Sequence, residues 1–268
     1  MQPLQAQPLQ GVGVLVTRPE QQATPLCRLL ESAGALALRL PVIDIRPAAD
    51  ASGLRLEVGA IEAFDLVIFT SANAVRFGSA LLDRGRDVML AAIGPATARA
   101  LGEAGYRTAV TPSGGFDSES LLLHPVLAHP AGRRILLIKG VDGRNLLETQ
   151  LTQRGAQVVV ADVYRRERAS HTAATLEALE VEFAAGRIQV VTATSVEIAV
   201  GLLDIATPVL RRDFDHVHWL VPGERVAQAL REHRVSGPIL RASTAEDQDL
   251  VAAVVRWRSS VSGAQAPV

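Results

Sequence analysis

Six loops hold the residues best suited to chemistry. They read Thr17-Arg18-Pro19, Thr70-Ser71-Ala72-Asn73, Ile93-Gly94-Pro95-Ala96-Thr97, Lys139-Gly140-Val141-Asp142-Gly143-Arg144, Thr192-Ala193-Thr194-Ser195 and Pro222-Gly223-Glu224-Arg225. Each follows a short apolar run and precedes an amphipathic stretch, so each joins a strand to a helix. Helix N-termini leave N–H groups unpaired and carry a partial positive charge, which suits anions. Taken singly, every loop has an ordinary reading. Thr70-Ser71 and Thr194-Ser195 are N-caps, Gly94 and Gly223 make tight turns, and Arg18 and Lys139 are solvated cations at strand ends. Taken together, in open parallel sheets that bind ligands beyond the C-terminal ends of their strands, they predict an anion-binding cleft. The candidate contacts are Thr17, Arg18, Thr70, Ser71, Asn73, Gly94, Thr97, Lys139, Gly140, Arg144, Thr194, Ser195, Gly223 and Arg225.

Tyr164 is the other candidate. It lies in ADVYRRER at 161–168, an extended stretch in a chain with 4% aromatic residues. Its ring either packs against that stretch or presents its hydroxyl to a cleft as a proton donor.

Other chemistries fit poorly. The single cysteine, Cys27, sits in a helical apolar pattern and reads as core, and it rules out an intramolecular disulfide framework. His216 and His218 could share a strand face but lack further ligands, so they read as surface or hydrogen-bonded histidines. Gly11 and Gly13 precede a strand and are no dinucleotide fingerprint. The 140–143 loop lacks the ending of a phosphate loop, and neither Ser71 nor Ser195 sits in a nucleophile elbow. The net charge of −1 favours neither nucleic acid nor a membrane surface. No leader or membrane-spanning run is evident, which predicts a cytoplasmic protein.

The elements that must position these loops alternate strand and helix. Strands are predicted at Val12–Thr17, Leu36–Leu40, Leu66–Thr70, Met89–Ile93, Ile135–Lys139, Val158–Ala161, Ile188–Ala193 and His218–Val221. Helices are predicted at Glu20–Ala33, Ala72–Asp83, Ala96–Ala104, Ser118–Leu127, Asn145–Arg154, Thr172–Ala185, Val196–Leu203, Arg225–Arg231 and Ala245–Arg256, with Ser243 and Glu246 as the capping box of the last. This is an α/β pattern with mainly parallel sheets.

The pattern also repeats. The segment from Gly13 matches that from Arg134 at a constant offset of 121, so Arg18 meets Lys139 and Gly34 meets Gly155. Thr70-Ser71 meets Thr194-Ser195 at an offset of 124, and Gly94 meets Gly223 at 129. Such periods are too long for a solenoid and predict two similar α/β modules.

These motifs resemble the uroporphyrinogen-III synthase family. The likeness runs from Gly13 to Trp257. It rests on VLVTRP at the first strand, FTSANAV at 69–75, IGPATARALGEAGY at 93–106, LIKGVDGRNLLETQLTQRGAQVVVADVYRR at 137–166 and TSVEIAVGLL at 194–203. The resemblance implies two doubly wound, flavodoxin-like parallel-sheet domains joined by a two-stranded ladder. One would be discontinuous, 11–40 with 169–262, and the other 47–161. The ladder strands would be 41–46 and 162–168, with flexible tails at 1–10 and 263–268.

The implied reaction is cyclisation of the linear tetrapyrrole hydroxymethylbilane to uroporphyrinogen III, with loss of water and inversion of ring D. It needs no cofactor or metal. The implied protein is a monomer that binds a small molecule and contacts the preceding pathway enzyme only transiently. Tyr164 matches the family's linker tyrosine and carries the acid role. Thr70, Ser71 and Asn73, Gly94 and Thr97, and Lys139, Gly140 and Arg144 match its substrate loops. In the second copy, Arg225 stands where many members carry a threonine pattern. Two rivals remain at this stage: a non-catalytic two-domain module binding an anionic small molecule, and a doubly wound nucleotide-binding protein.

Overall fold

A computed structural model describes residues 7–48, 61–82, 88–112, 114–141 and 143–263. The predicted end of one helix at Asp83, Asp142 of one loop, and most of the two tails lie outside the described residues. In chain order the elements are β1 (Gly13–Val16), α1 (Glu20–Ser32), β2 (Leu36–Arg39), β3 (Ile43–Pro47), β4 (Leu66–Phe69), α2 (Ala72–Gly78), β5 (Met89–Ala92), α3 (Pro95–Glu103), α4 (Ser118–Leu122), β6 (Arg134–Gly140), α5 (Leu146–Gln153), β7 (Gln157–Arg168), α6 (Ala173–Ala184), β8 (Val190–Thr192), α7 (Val196–Ile205), α8 (Pro208–Asp213), β9 (His218–Val221), α9 (Glu224–Glu232), β10 (Ile239–Arg241) and α10 (Asp247–Gly263). Short 3-10 turns occupy Ile61–Ala63, Ser79–Leu81 and Pro125–Leu127.

The chain divides into two compact units. One holds Met1–Asp44 and Arg168–Val268, the other Ile45–Glu167. The first is built on a sheet of order β10-β9-β8-β1-β2, parallel throughout its registered pairs. Its central strands are buried on both faces: all four residues of β1 and all three of β8 are covered. That explains why they read as unbroken apolar runs. Helix α1 buries Ala23, Leu26, Cys27 and Leu30 against this sheet, the spacing of one helical face.

The second unit carries a sheet of order β3-β7-β6-β4-β5, with β7, β6, β4 and β5 mutually parallel. A parallel bridge from Ala91 to Val110 extends it beyond β5. On one face of this sheet, Leu66 and Ile68 of β4 and Ile135 and Leu137 of β6 pack with Leu121 of α4 and with Leu147 and Leu151 of α5. The strand residues alternate by two and the helix residues repeat by four, so each element turns one face inward.

The repeat is visible in the strand orders. Read from one edge, β2-β1-β8-β9-β10 in the first unit corresponds to β7-β6-β4-β5 and the Val110 bridge in the second. The unit β1-α1-β2 thus pairs with β8, not with β3 or β4, the next strands in sequence. The matched glycines have one cause. Gly34 after α1 and Gly155 after α5 both adopt positive φ, +93° and +86°, where a side chain would be strained.

Several predicted elements differ in extent. The helix predicted at Ser118–Leu127 ends at Leu122, because Pro125 cannot continue it; a 3-10 turn follows, with His124 Nδ1 accepting the Val126 N–H at 3.3 Å. The helix from Ala72 becomes a 3-10 turn after Gly78. The strand predicted at Val158–Ala161 runs on to Arg168. The last helix starts at Asp247, and the hydroxyl that bonds the chain just before it belongs to Thr244, not to the expected Ser243. Thr244 Oγ1 accepts the Glu246 N–H at 3.1 Å and donates to Asp249 Oδ2 at 2.5 Å. Helix α8 and strand β10 are additional. Thr207 caps α8 by accepting the Leu210 N–H at 3.2 Å, with Pro208 in the first turn.

Candidate functional site

In the second unit, the C-terminal ends of β6, β4 and β5 and the adjoining stretch of β7 carry the predicted residues. Tyr164 is on β7, Lys139 and Gly140 end β6, Thr70 and Ser71 follow β4, and Gly94 and Thr97 follow β5. Sheet order alone therefore places them along one edge.

Tyr164 is aimed by a register shift. Lys139 pairs with Asp162, but Gly140 pairs with Tyr164, so β7 carries one extra residue at this point. A one-residue slip turns a side chain to the opposite face of a sheet, and bulges beside functional sites do this. Tyr164 is 5% exposed. Its ring lies flat over Gly140, where a β-carbon would come within 2.7 Å of Cζ and 2.9 Å of Cε2. On Phe77 it stacks at a centroid distance of 6.1 Å and an interplanar angle of 26°. Its hydroxyl is 3.1 Å from Ser71 Oγ. The ring thus packs on Gly140 and Phe77, and the hydroxyl meets the polar loop after β4.

Ser71 serves two partners. Its Oγ also accepts the Ala74 N–H at 3.0 Å as N-cap of α2. Thr70 donates through Oγ1 to the Ile138 carbonyl at 3.3 Å, tying the β4 and β6 ends together. Asn73 is half-buried in the first turn of α2. Gly94 and Thr97 are buried at the start of α3.

Lys139 is not a solvated cation. It is 4% exposed, and its Nζ donates to Asn145 Oδ1 at 2.6 Å and to the Gly143 carbonyl at 3.2 Å. The ammonium braces the loop that carries Arg144. Arg144 is exposed and pairs with Glu119 at 2.8 Å.

In the first unit, Thr17 is fully buried, and its Oγ1 donates to the Thr192 carbonyl at 2.5 Å. Arg18 is 8% exposed, so it too departs from the solvated-cation reading. It binds Asp247 and the Ala245 carbonyl, and its Nε donates to Thr194 Oγ1 at 3.5 Å. Ser195 is an N-cap: its Oγ accepts the Ile198 N–H at 3.2 Å. Gly223 caps α9 through backbone alone, and Arg225 is exposed beside it.

The sequence reading passed over Phe77, Asn145 and Asp247. Asn145 carried a usable signal, a helix-start residue type at a helix start. Asp247 carried none, since it is 229 residues from Arg18.

Elsewhere, Cys27 is buried, and burial raises its thiol pKa, consistent with a core residue. His218 Nε2 accepts the Trp257 Nε1 proton at 3.1 Å, and burial lowers the histidine's pKa. His218, Trp257, Phe183 and Asp213 line a cavity of about 320 Å³. It opens near the starts of β8 and β9, away from the strand ends that carry the polar loops. No helix among the described residues is long and apolar enough to cross a membrane.

The fold and these loops define an α/β protein with parallel sheets that presents hydroxyl, amide and cationic groups at its strand ends. The family model described as uroporphyrinogen-III synthase HemD matches residues 25–252. The uroporphyrinogen-III synthase of Escherichia coli (strain K12) is 32% identical over 227 residues, covering 82% of this chain and 91% of that protein. That of Salmonella typhimurium is 32% identical over 232 residues, with the same coverage. Among solved structures, a mutant uroporphyrinogen III synthase from Thermus thermophilus superposes with a TM-score of 0.54 at 24% identity, covering 94% of this chain and 99% of that one. The synthetase of Helicobacter pylori gives 0.59 at 15% identity, covering 92% and 99%. Both structures bear on the fold. The chain belongs to the uroporphyrinogen-III synthase family, cyclising lyases of tetrapyrrole biosynthesis.

Proposed function

We propose that the chain converts hydroxymethylbilane to uroporphyrinogen III, with Tyr164 as the acid that assists departure of the substrate's hydroxyl. The observation that carries the residue assignment is the Tyr164 hydroxyl, 3.1 Å from Ser71 Oγ beside the ends of β6 and β4. As the C–O bond breaks, electrons from the attached pyrrole form an azafulvene cation, and the phenolic proton passes to the leaving oxygen to give water. Ring D then attacks through its substituted carbon. The spiro intermediate fragments and recloses through the formerly unsubstituted α-carbon of that ring, now inverted, and the proton this carbon loses restores the phenol. The reactivity lies in the substrate, so the protein's main task is to hold one folded geometry.

The substrate carries two carboxylates on each ring. The loops of Thr70, Ser71 and Asn73, of Gly94 and Thr97, and of Gly140 and Arg144 offer donors to them, as do Thr194, Ser195, Gly223 and Arg225 in the first unit. Each charge-assisted hydrogen bond nets roughly 1.5–3 kcal/mol, so a few are ample for a polyanion despite a near-neutral chain. Thr17, Arg18 and Lys139 act from behind these loops, because their polar groups already hold Thr192, Asp247 and Asn145.

On this reading the two units are doubly wound, flavodoxin-like domains of 11–40 with 169–262 and of 47–161, joined by strands at 41–46 and 162–168. The order β2-β1-β8-β9-β10 supports this, being the 2-1-3-4-5 pattern of that fold. The protein would work as a cytoplasmic monomer and take its short-lived substrate by transient contact with the enzyme that makes it.

The test is the rate of ring closure. Enzyme at nanomolar concentration should consume hydroxymethylbilane well above the uncatalysed rate. Binding without acceleration would favour the non-catalytic module instead.

A further inference from the structure

The six phenylalanines divide unevenly. Phe64, Phe69, Phe183 and Phe214 are buried, Phe77 is half-buried, and Phe116 is 70% exposed. The exposed ring stands on an anchored segment. Its neighbour Gly115 is pressed onto α4, where a β-carbon would clash with Ser120 Oγ. Its other neighbour, Asp117, accepts the Ser120 N–H at 2.8 Å as the N-cap of α4, and Ser118 is buried. The base of the Phe116 side chain rests against Gly94 at the end of β5. A β-carbon on Gly94 would stand 3.0 Å from Phe116 Cβ and 3.5 Å from its Cγ. The backbone is fixed and the stem is wedged, while the ring remains open to solvent.

A cation stands close by. Arg144 Nη1 donates to Glu119 Oε1 at 2.8 Å, on the same short segment as Phe116. The Asp117 carboxyl is held below the usual range, first by its bonds from Ser120 and further by the Arg144 charge. Both partners of the Arg144–Glu119 pair are more than half exposed. Such a pair contributes little net stability and exchanges readily. An aromatic face and an exchangeable guanidinium thus share the rim that carries Gly94. Together they suit a flat, electron-rich ring bearing carboxylates.

We propose that Phe116 is a substrate-contacting residue. Its ring is the platform for one pyrrole of the linear tetrapyrrole, and Arg144 exchanges Glu119 for a carboxylate of that ring. This rests on the function proposed above. Glu119 then acts as a competitor that sets affinity.

The experiment compares Phe116→Ala, Phe116→Trp and Glu119→Gln with the parent enzyme in steady-state kinetics and thermal melting. Phe116→Ala should raise KM about tenfold, with kcat and Tm little changed. Phe116→Trp should restore KM, and Glu119→Gln should lower it. A parental KM in Phe116→Ala overturns the proposal, as does a KM rise that tracks a lost Tm and is not rescued by tryptophan. An unchanged KM in Glu119→Gln overturns the exchange. A parent enzyme that does not accelerate ring closure defeats the underlying function, and the proposal with it, before any variant is compared.

Discussion

The Tyr164 hydroxyl and the Ser71 Oγ lie 3.1 Å apart, although 93 residues separate them in sequence. They meet because β7 and β4 flank β6 in one parallel sheet and because the bulge at Gly140 turns the tyrosine toward the β4 loop. If that hydroxyl is the acid, Tyr164→Phe should lower kcat by about 100-fold or more and leave KM nearly unchanged. Full turnover in the variant would remove Tyr164 from the role.

Gly140 is the surface on which the tyrosine ring lies. In Gly140→Ala the new methyl would meet the ring at 2.7–3.1 Å, so the ring or the strand end must shift. The expected result is a loss of about 1–3 kcal/mol in urea unfolding, together with a fall in kcat. Parental kcat and stability would show that the ring is free to move.

Arg18 and Asp247 join the end of β1 to the start of α10. Asp247→Ala leaves a buried guanidinium with carbonyl and hydroxyl partners only. It should cost about 1–3 kcal/mol in chemical denaturation, less than a fully enclosed pair because Asp247 is partly exposed. An unchanged midpoint would show that the contact is not formed in solution.

His218 ties β9 to Trp257 of α10 in its neutral form, since Nε2 must accept the indole proton. Its folded pKa is depressed by burial, so the unfolded chain takes up the proton first. The stability this histidine contributes is present above its unfolded pKa of about 6.5 and is lost as pH falls through the lower folded value. Stability measured between about pH 7 and pH 5 should decline, and His218→Gln should flatten that decline. An equal slope in both proteins would contradict the assignment.

Much of this was legible in the sequence because it rests on local chemistry. The apolar run of β1, the face of α1, and the paired glycines at 34 and 155 each follow from period or backbone conformation. The N-cap reading of Ser71 and Ser195 is likewise local. What the sequence hid was tertiary pairing. Arg18 and Lys139 look like matching surface cations, yet Arg18 is buried against Asp247, 229 residues away, while Lys139 folds back onto Gly143 and Asn145 of its own loop. The bulge that re-aims Tyr164 leaves no mark in the pattern of ADVYRRER. Strand β10 is three residues long, too short for periodicity to show, whereas α8 had a usable start signal in Thr207 and Pro208.

The central claim is that the chain inverts ring D during closure, and the product isomer tests it most directly. Hydroxymethylbilane left in water closes without inversion. Incubated with the enzyme, then oxidised and separated by isomer, it should yield mainly uroporphyrin III, the oxidised form of uroporphyrinogen III. Uroporphyrin I alone, at any enzyme concentration, would contradict the account.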